Sequence, residues 1–247
     1  MAKKVAKYDG FSVINPDAVV RGETVSQWTE NYSKWWHYNP FENNPVTDDP
    51  TGAYACLNND DKVFYLPGSG GTDTRTYDVP FGKPVLLPIL NITYFREAEG
   101  SAGDFGPVDE VLDWVVNSIM KGMYARIDGQ DIANIEGYRV TERDFTMTAT
   151  PGSFIEATRG DPDPEARGPY ASGTDGYWLV LDTLSEGEHT LESGGYFDWN
   201  ETGELDDSDQ VVAVTATINV VKNKDYVCDL DAGTVTVTDV QADLLLA

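Results

Sequence analysis

The residues best placed to do chemistry lie in the stretch DWNETGELDDSD, Asp198 to Asp209. Asp198, Asn200, Thr202, Gly203, Glu204, Asp206 and Asp209 fall at positions 1, 3, 5, 6, 7, 9 and 12 of an EF-hand-like loop, with Leu205 at the apolar eighth place. Oxygen-bearing side chains at alternate positions can surround a hard cation, and the glycine permits the sharp turn between them. Calcium is the ion that Asp198, Asn200, Thr202, Glu204, Asp206 and Asp209 would hold. Against it stand Thr at the fifth position, the short Asp at the twelfth, and loop ends that fall on expected strands. In so acidic a chain a solvated hairpin loop is the competing reading.

Hydrolytic chemistry would need a general base, and the two histidines, His37 and His189, are the candidates. His37 closes an aromatic segment, and His189 follows a Gly-Glu turn, where bonding to backbone is the ordinary role. No GxSxG, HExxH or CxxC motif occurs, so no catalytic residue is assigned. Carboxylate pairs such as Asp60 and Asp61 are too frequent to single out a glycosidase. The glycine-rich PGSGG, Pro67 to Gly71, lacks the following Gly-Lys-Ser/Thr and helix start of a phosphate loop, and reads as a hairpin or exposed tip. Tyr170, Tyr177, Trp178, Tyr196, Phe197 and Trp199 crowd near long loops and keep a sugar site open, with Tyr196 and Trp199 as the exposed members.

Charge narrows the partners. The chain has 247 residues, 42 acidic against 17 basic, for a net charge of -25. Clustered Lys and Arg are what a phosphate backbone requires, so nucleic acid is not an expected partner. Acidity spread along the whole chain suits a surface kept soluble in salt, and points to a saline or halophilic system. No window approaches a membrane span, and the start MAKKVAKYDGF has no apolar run of signal-peptide length. Cys56 and Cys228 lack metal or redox spacing; they bridge only if folding brings them together, and two buried thiols are the expectation.

The elements that must position these residues follow from periodicity. Residues 1–22 read as an extended arm. Thr24 with Gln27 forms a capping box, and Val25, Trp28, Tyr32, Trp35 and Trp36 share one helical face up to Pro40, which makes this aromatic stripe a buried one. A second helix starts at Pro107 and carries Val108, Val111, Leu112, Val115, Ile119 and Met120 on its apolar face. Pro80, Pro84 and Pro88 interrupt a β-rich segment and call for edges or bulges. Asp128-Gly129 suits a primed turn in a hairpin. Strands are expected at 62–66, 145–150, 177–181, 189–191, 211–221 and 234–240, and an exposed acidic loop from Gly160. The fold class is mainly β: an antiparallel, jelly-roll-like β-sandwich with two α-helices, the body spanning 23–222 and a strand or tail 223–247. The terminal Leu244, Leu245 and Leu246 either tuck into this subunit or dock on a neighbour.

YSKWWHYNP, VFYLPGSGGTDTRTYDVPFGKPVLLPILN, ARIDGQDI, GYRV and DGYWLVLDTLSEGEHTLESGG, in this order between about Trp28 and Val221, resemble a family of uncharacterised bacterial or viral proteins, usually exported. The resemblance implies a β-sandwich and carries no catalytic residues. The strong acidity, the lack of a signal peptide and the extra terminal segments depart from the family pattern. Together these features lead to the expectation of a non-enzymatic structural protein, a capsid decoration-type subunit on a virion surface. It would be a homo-oligomer, a trimer by preference, contacting other particle proteins and neither nucleic acid nor membrane. The alternative is a secreted or cell-surface module that binds carbohydrate with calcium.

Overall fold

A computed structural model describes residues 5–59, 62–97, 104–159, 168–182, 184–222, 226 and 228. In chain order the strands are β1 (Val5–Lys7), β2 (Ser12–Ile14), β3 (Val19–Val20), β4 (Glu23–Thr24), β5 (Phe64–Tyr65), β6 (Thr72–Pro80), β7 (Val85–Phe95), β8 (Met120–Ile127), β9 (Gln130–Asp131), β10 (Arg139–Met147), β11 (Tyr170–Leu181), β12 (Gly187–Phe197) and β13 (Gln210–Val221). The helices are α1 (Val25–Tyr38), α2 (Val108–Trp114) and a short α3 (Phe154–Arg159) that the sequence pattern does not show. One sheet is ordered β1-β2-β11-β7-β5 with β10 also on β11; the other is β6-β13-β12-β8-β9. Most ladders are antiparallel, but β5 with β7 and β6 with β13 run parallel.

The two sheets face each other over a core that includes Leu87, Leu179 and Leu181 from the first and Ile127, Leu191, Val214 and Ile218 from the second. Side chains alternate along a strand, so Leu86, Trp178 and Val180 point the other way, onto Val25, Trp28, Tyr32 and Trp35 of α1. The first sheet is therefore covered on both faces, and β7 and β11 read as almost unbroken apolar runs, VLLPIL and YWLVL. The WW helix is held from its start by Thr24: Oγ1 accepts from Gln27 N at 3.2 Å while Gln27 Oε1 accepts from Thr24 N at 2.9 Å. Pro88 sits at a bulge where β7 and β11 change register, and Asp128 and Gly129, at φ +50° and +73°, make the primed turn between β8 and β9. The second helix ends in a wide π turn, Val115–Ile119, that runs directly into β8.

Two expectations are corrected. The segment read as a free arm forms the β1–β2 hairpin and joins β11 through Leu181 and Val13, with Phe11, Val13, Ile14 and Val20 buried. Its strands are two or three residues long, too short for a period to show. Cys56 and Cys228, expected as thiols, form a disulfide with Cα atoms 5.5 Å apart across 172 residues of sequence. Tyr226 packs edge-on to Phe64 at 6.3 Å, which returns the chain after β13 to the turn that carries Cys56. Asp60, Asp61, residues 160–167 of the loop expected from Gly160, the strand expected at 234–240 and the terminal leucines lie outside the described residues; the rest of that loop, from Tyr170, is the start of β11 and is largely buried.

A charged cluster fixes α2 and β10 to β11. Asp175, fully buried, accepts from Arg139 Nε and Nη2 at 2.9 and 2.7 Å and from Arg143 Nη2 at 3.0 Å. Arg143 also reaches exposed Asp113 at 2.6 Å and holds its carboxyl below the usual range. Removing one member of a buried ion cluster leaves the others uncompensated. Asp175→Ala is expected to lower the unfolding free energy by about 3 kcal/mol in urea titration, whereas Asp113→Ala changes it little.

Candidate functional site: an uncharged aromatic groove

Trp199 follows β12 at the base of the acidic hairpin. It is 43% exposed, and its ring lies flat on Phe197, with centroids 5.4 Å apart and planes 9° apart. Beside it opens a groove of about 290 Å³. Its floor and walls come from Tyr32 and Trp36 on α1, the turn at Val46 and Thr47, the loop Gly68 to Gly70, Asn91 to Thr93 on β7, and Gln210 at the start of β13. Not one of its thirteen lining residues is charged, although 24% of the chain is. The stripe on α1 thus divides: Trp28, Tyr32 and Trp35 are buried, and half-buried Trp36 turns toward the groove.

Arg75 on β6 holds the walls in place. Its buried guanidinium donates from Nη1 to Pro45 O at 3.2 Å and Gly68 O at 3.0 Å, and from Nη2 to Val46 O at 3.3 Å and Asp73 Oδ2 at 2.7 Å. One rigid fork therefore joins both loops that line the groove. Tyr32 Oη accepts from Gly68 N at 2.7 Å, and Gln210 Nε2 donates to Gly70 O at 2.8 Å. A Cβ at Gly68 would stand 2.9 Å from Pro88 Cγ, so glycine is required where this loop meets β7. The half-buried Asn91 makes no side-chain hydrogen bond within the described residues, which leaves its amide donor and acceptor for a bound molecule.

The residues expected to bind calcium are all on the β12–β13 hairpin, and their oxygens serve its own backbone. Asp198, fully buried, accepts at Oδ1 from Thr202 N (3.1 Å) and at Oδ2 from Gly203 N (2.8 Å). Asn200 Nδ2 donates to Asp206 Oδ2 and Ser208 Oγ, and Thr202 Oγ1 donates to Glu204 O. Asp209 Oδ2 accepts from Asp206 N. Bonds from Ser208 and then Asn200 hold the Asp206 carboxyl below the usual range. Among the described residues no group of three or more Asp, Glu, His or Cys side chains is gathered to hold a metal ion.

Both histidines are engaged by groups of their own surroundings. His37 is buried, with Nδ1 2.7 Å from Ser33 O. His189 Nδ1 lies 2.7 Å from Asp128 Oδ2, and Nε2 lies 3.2 Å from Ser185 Oγ, an arrangement in the order of a Ser-His-Asp relay. However, Nε2 also faces the carbonyl oxygen of Ser185 at 3.0 Å. The tautomer sets which of the two Ser185 oxygens Nε2 bonds, as donor to the carbonyl or as acceptor from the hydroxyl. The set ties the 185 loop to the Asp128 turn, which Thr190 N also reaches at 2.9 Å. Of the aromatic residues singled out in sequence, Phe197 and Trp199 reach the groove. Tyr177 and Trp178 are buried, Tyr170 packs on Phe95, and Tyr196 covers Gly122. Asn91 and Arg75 carry no site signal in sequence beyond the apolar-Asn end of the VLLPILN strand, and Trp36, expected in the buried stripe, is half-buried at the groove.

Burial raises the phenol of Tyr32 far above its ordinary value and that of Tyr77, behind the groove wall, to about 12. In the unfolded chain both ionise near pH 10, while the folded chain keeps both protons. The stability they contribute is whole below about pH 10 and is lost as pH rises through 10 toward 12, by up to about 1.4 kcal/mol per pH unit for each. Urea midpoints taken between about pH 9 and about pH 11 should fall with this slope, with phenolate absorbance from these two rings rising only on unfolding.

No family model matches the chain, and no curated protein matches it. Among solved structures, the solution structure of amebosin is similar to 62% of this chain and 100% of its own, at 10% identity and a TM-score of 0.19, a likeness that carries no argument about fold or function.

Proposed function

We propose that the chain is a non-enzymatic binding module that holds a neutral glycan in the Trp199 groove, displayed outside the cell or on a particle surface in a saline setting. The observation that carries this reading is the uncharged lining of the groove in a chain of net charge -25. A sugar presents an apolar C–H face, which an exposed indole can cover, and hydroxyls, which amides and side-chain hydroxyls can bond. Trp199 with Phe197 behind it supplies the first, and Asn91 and Thr47 supply the second. An anion would ask for a cationic side chain, and the guanidinium of Arg75 is already engaged by four acceptors. Glycoside hydrolysis would ask for two carboxylates flanking the bond, and the lining offers none, which favours holding over cutting. The reading does not depend on calcium.

A second reading, a virion-surface subunit of capsid-decoration type that closes into a homo-oligomer, is favoured by large apolar side chains standing free on an acidic surface: Phe105 at 74% exposure and Leu205 at 56%.

Two measurements separate these readings. Titration of the protein with a panel of neutral glycans, followed by tryptophan fluorescence, should show saturable binding that Trp199→Ala weakens by about tenfold or more, ~1.4 kcal/mol, at unchanged melting temperature. Failure of every sugar to bind would end the glycan reading. Light scattering in molar salt should give a closed oligomer if the chain decorates a particle; a monomer at all concentrations would end that one.

A further inference from the structure

We infer that the ligand of the groove is a neutral chain of several sugar units, and that the unit beyond the groove rests on Trp114; this rests on the glycan reading. Trp114 is the last residue of α2, where the helix widens into its π turn, and it does not line the groove. Its ring stands 6.3 Å from that of Trp199, tilted by 51°, and both are 43% exposed. Of the other tryptophans, Trp28, Trp35 and Trp178 are buried and Trp36 is half-buried. Water is an unfavourable neighbour for two adjacent indoles.

Both rings are also held in place. Phe197 backs Trp199, and the Trp114 indole Nε1 donates to Glu201 Oε1 at 3.1 Å. Surfaces fixed before binding lose little side-chain freedom when a ligand covers them. Two tilted faces in succession, running out of the groove, match a chain whose consecutive units turn relative to one another. Charge refines the class. The exposed Glu201 touches this platform, and its carboxylate, on a hairpin that also carries the exposed Glu204, Asp206 and Asp207, would repel uronic or sulfated sugars, whereas a neutral hydroxyl can donate to Glu201.

The test is a length series. Neutral gluco-, manno-, galacto- and chito-oligosaccharides from disaccharide to hexasaccharide are titrated calorimetrically against wild type, Trp114→Ala and Trp199→Ala, with oligogalacturonate as the charged counterpart. Wild type should bind longer chains more tightly, and oligogalacturonate more weakly than the neutral galactan of equal length. Trp114→Ala should flatten the rise with length, keep the affinity for the shortest ligand within about twofold, and leave the melting temperature alone. If Trp114→Ala keeps the full length dependence, the inference is overturned while the groove reading stands. If wild type binds no sugar of any length, both fall, and a change in solution mass on Trp114→Ala would assign the indole pair to a protein contact.

Discussion

Everything in this molecule hangs on the burial of β7 and β11 on both faces. Each strand has only two sides, and period-two alternation sends Leu179 and Leu181 into the core between the sheets and Trp178 and Val180 against α1. At about 25 cal/mol per Å² of apolar surface removed from water, a strand covered on both sides is the largest hydrophobic contribution a chain of this size can assemble from one segment. It sets the order of layers: helix, first sheet, second sheet. It also bears on where the groove lies, because Tyr32 and Trp36 of α1 and Asn91 to Thr93 of β7 line it, with the Val46–Thr47 turn and the Gly68–Gly70 loop as its walls.

Short motifs that look chemical join one element to another. The Asp of the ARIDG turn receives the His and the Thr of GEHT; the Arg of GYRV and its neighbour Arg143 grip the Asp of DGYW. Gly176 in the same DGYW has φ +149°, and a Cβ there would lie 2.5 Å from the backbone of Asn91, so the motif also lets β7 and β11 pair closely. Polar residues in recurring patterns thus serve registry, each carboxylate answered by a donor on a neighbouring element. Such joints can be found from sequence as patterns, but not told from active sites without their partners.

How much was legible depended on whether the signal is local. The capping box at Thr24, the helical spacing of α1, the Asp-Gly turn and the proline bulge all act within a few residues, and each appears where the sequence puts it. The disulfide did not, because nothing near Cys56 or Cys228 reports that Tyr226 will fold back onto Phe64. The groove did not either. Its lining comes from six separated segments, and Arg75, which holds two of them, looks in sequence like any surface arginine on an edge strand. Alternation of acidic residues from 198 to 209 suggested ligands; the same spacing is what a hairpin uses to cap its own amides, and burial of Asp198 is visible only in three dimensions.

The absence of charge along the groove also governs how the site responds to its medium. At about 1 M salt the Debye length shrinks to about 3 Å, and contacts built from exposed ion pairs fade. Stacking faces and amide hydrogen bonds carry no such field for ions to screen, and salting strengthens apolar contact. At that ionic strength the acidic exterior is screened, while the concavity that meets Trp199 offers faces whose attraction does not rest on charge.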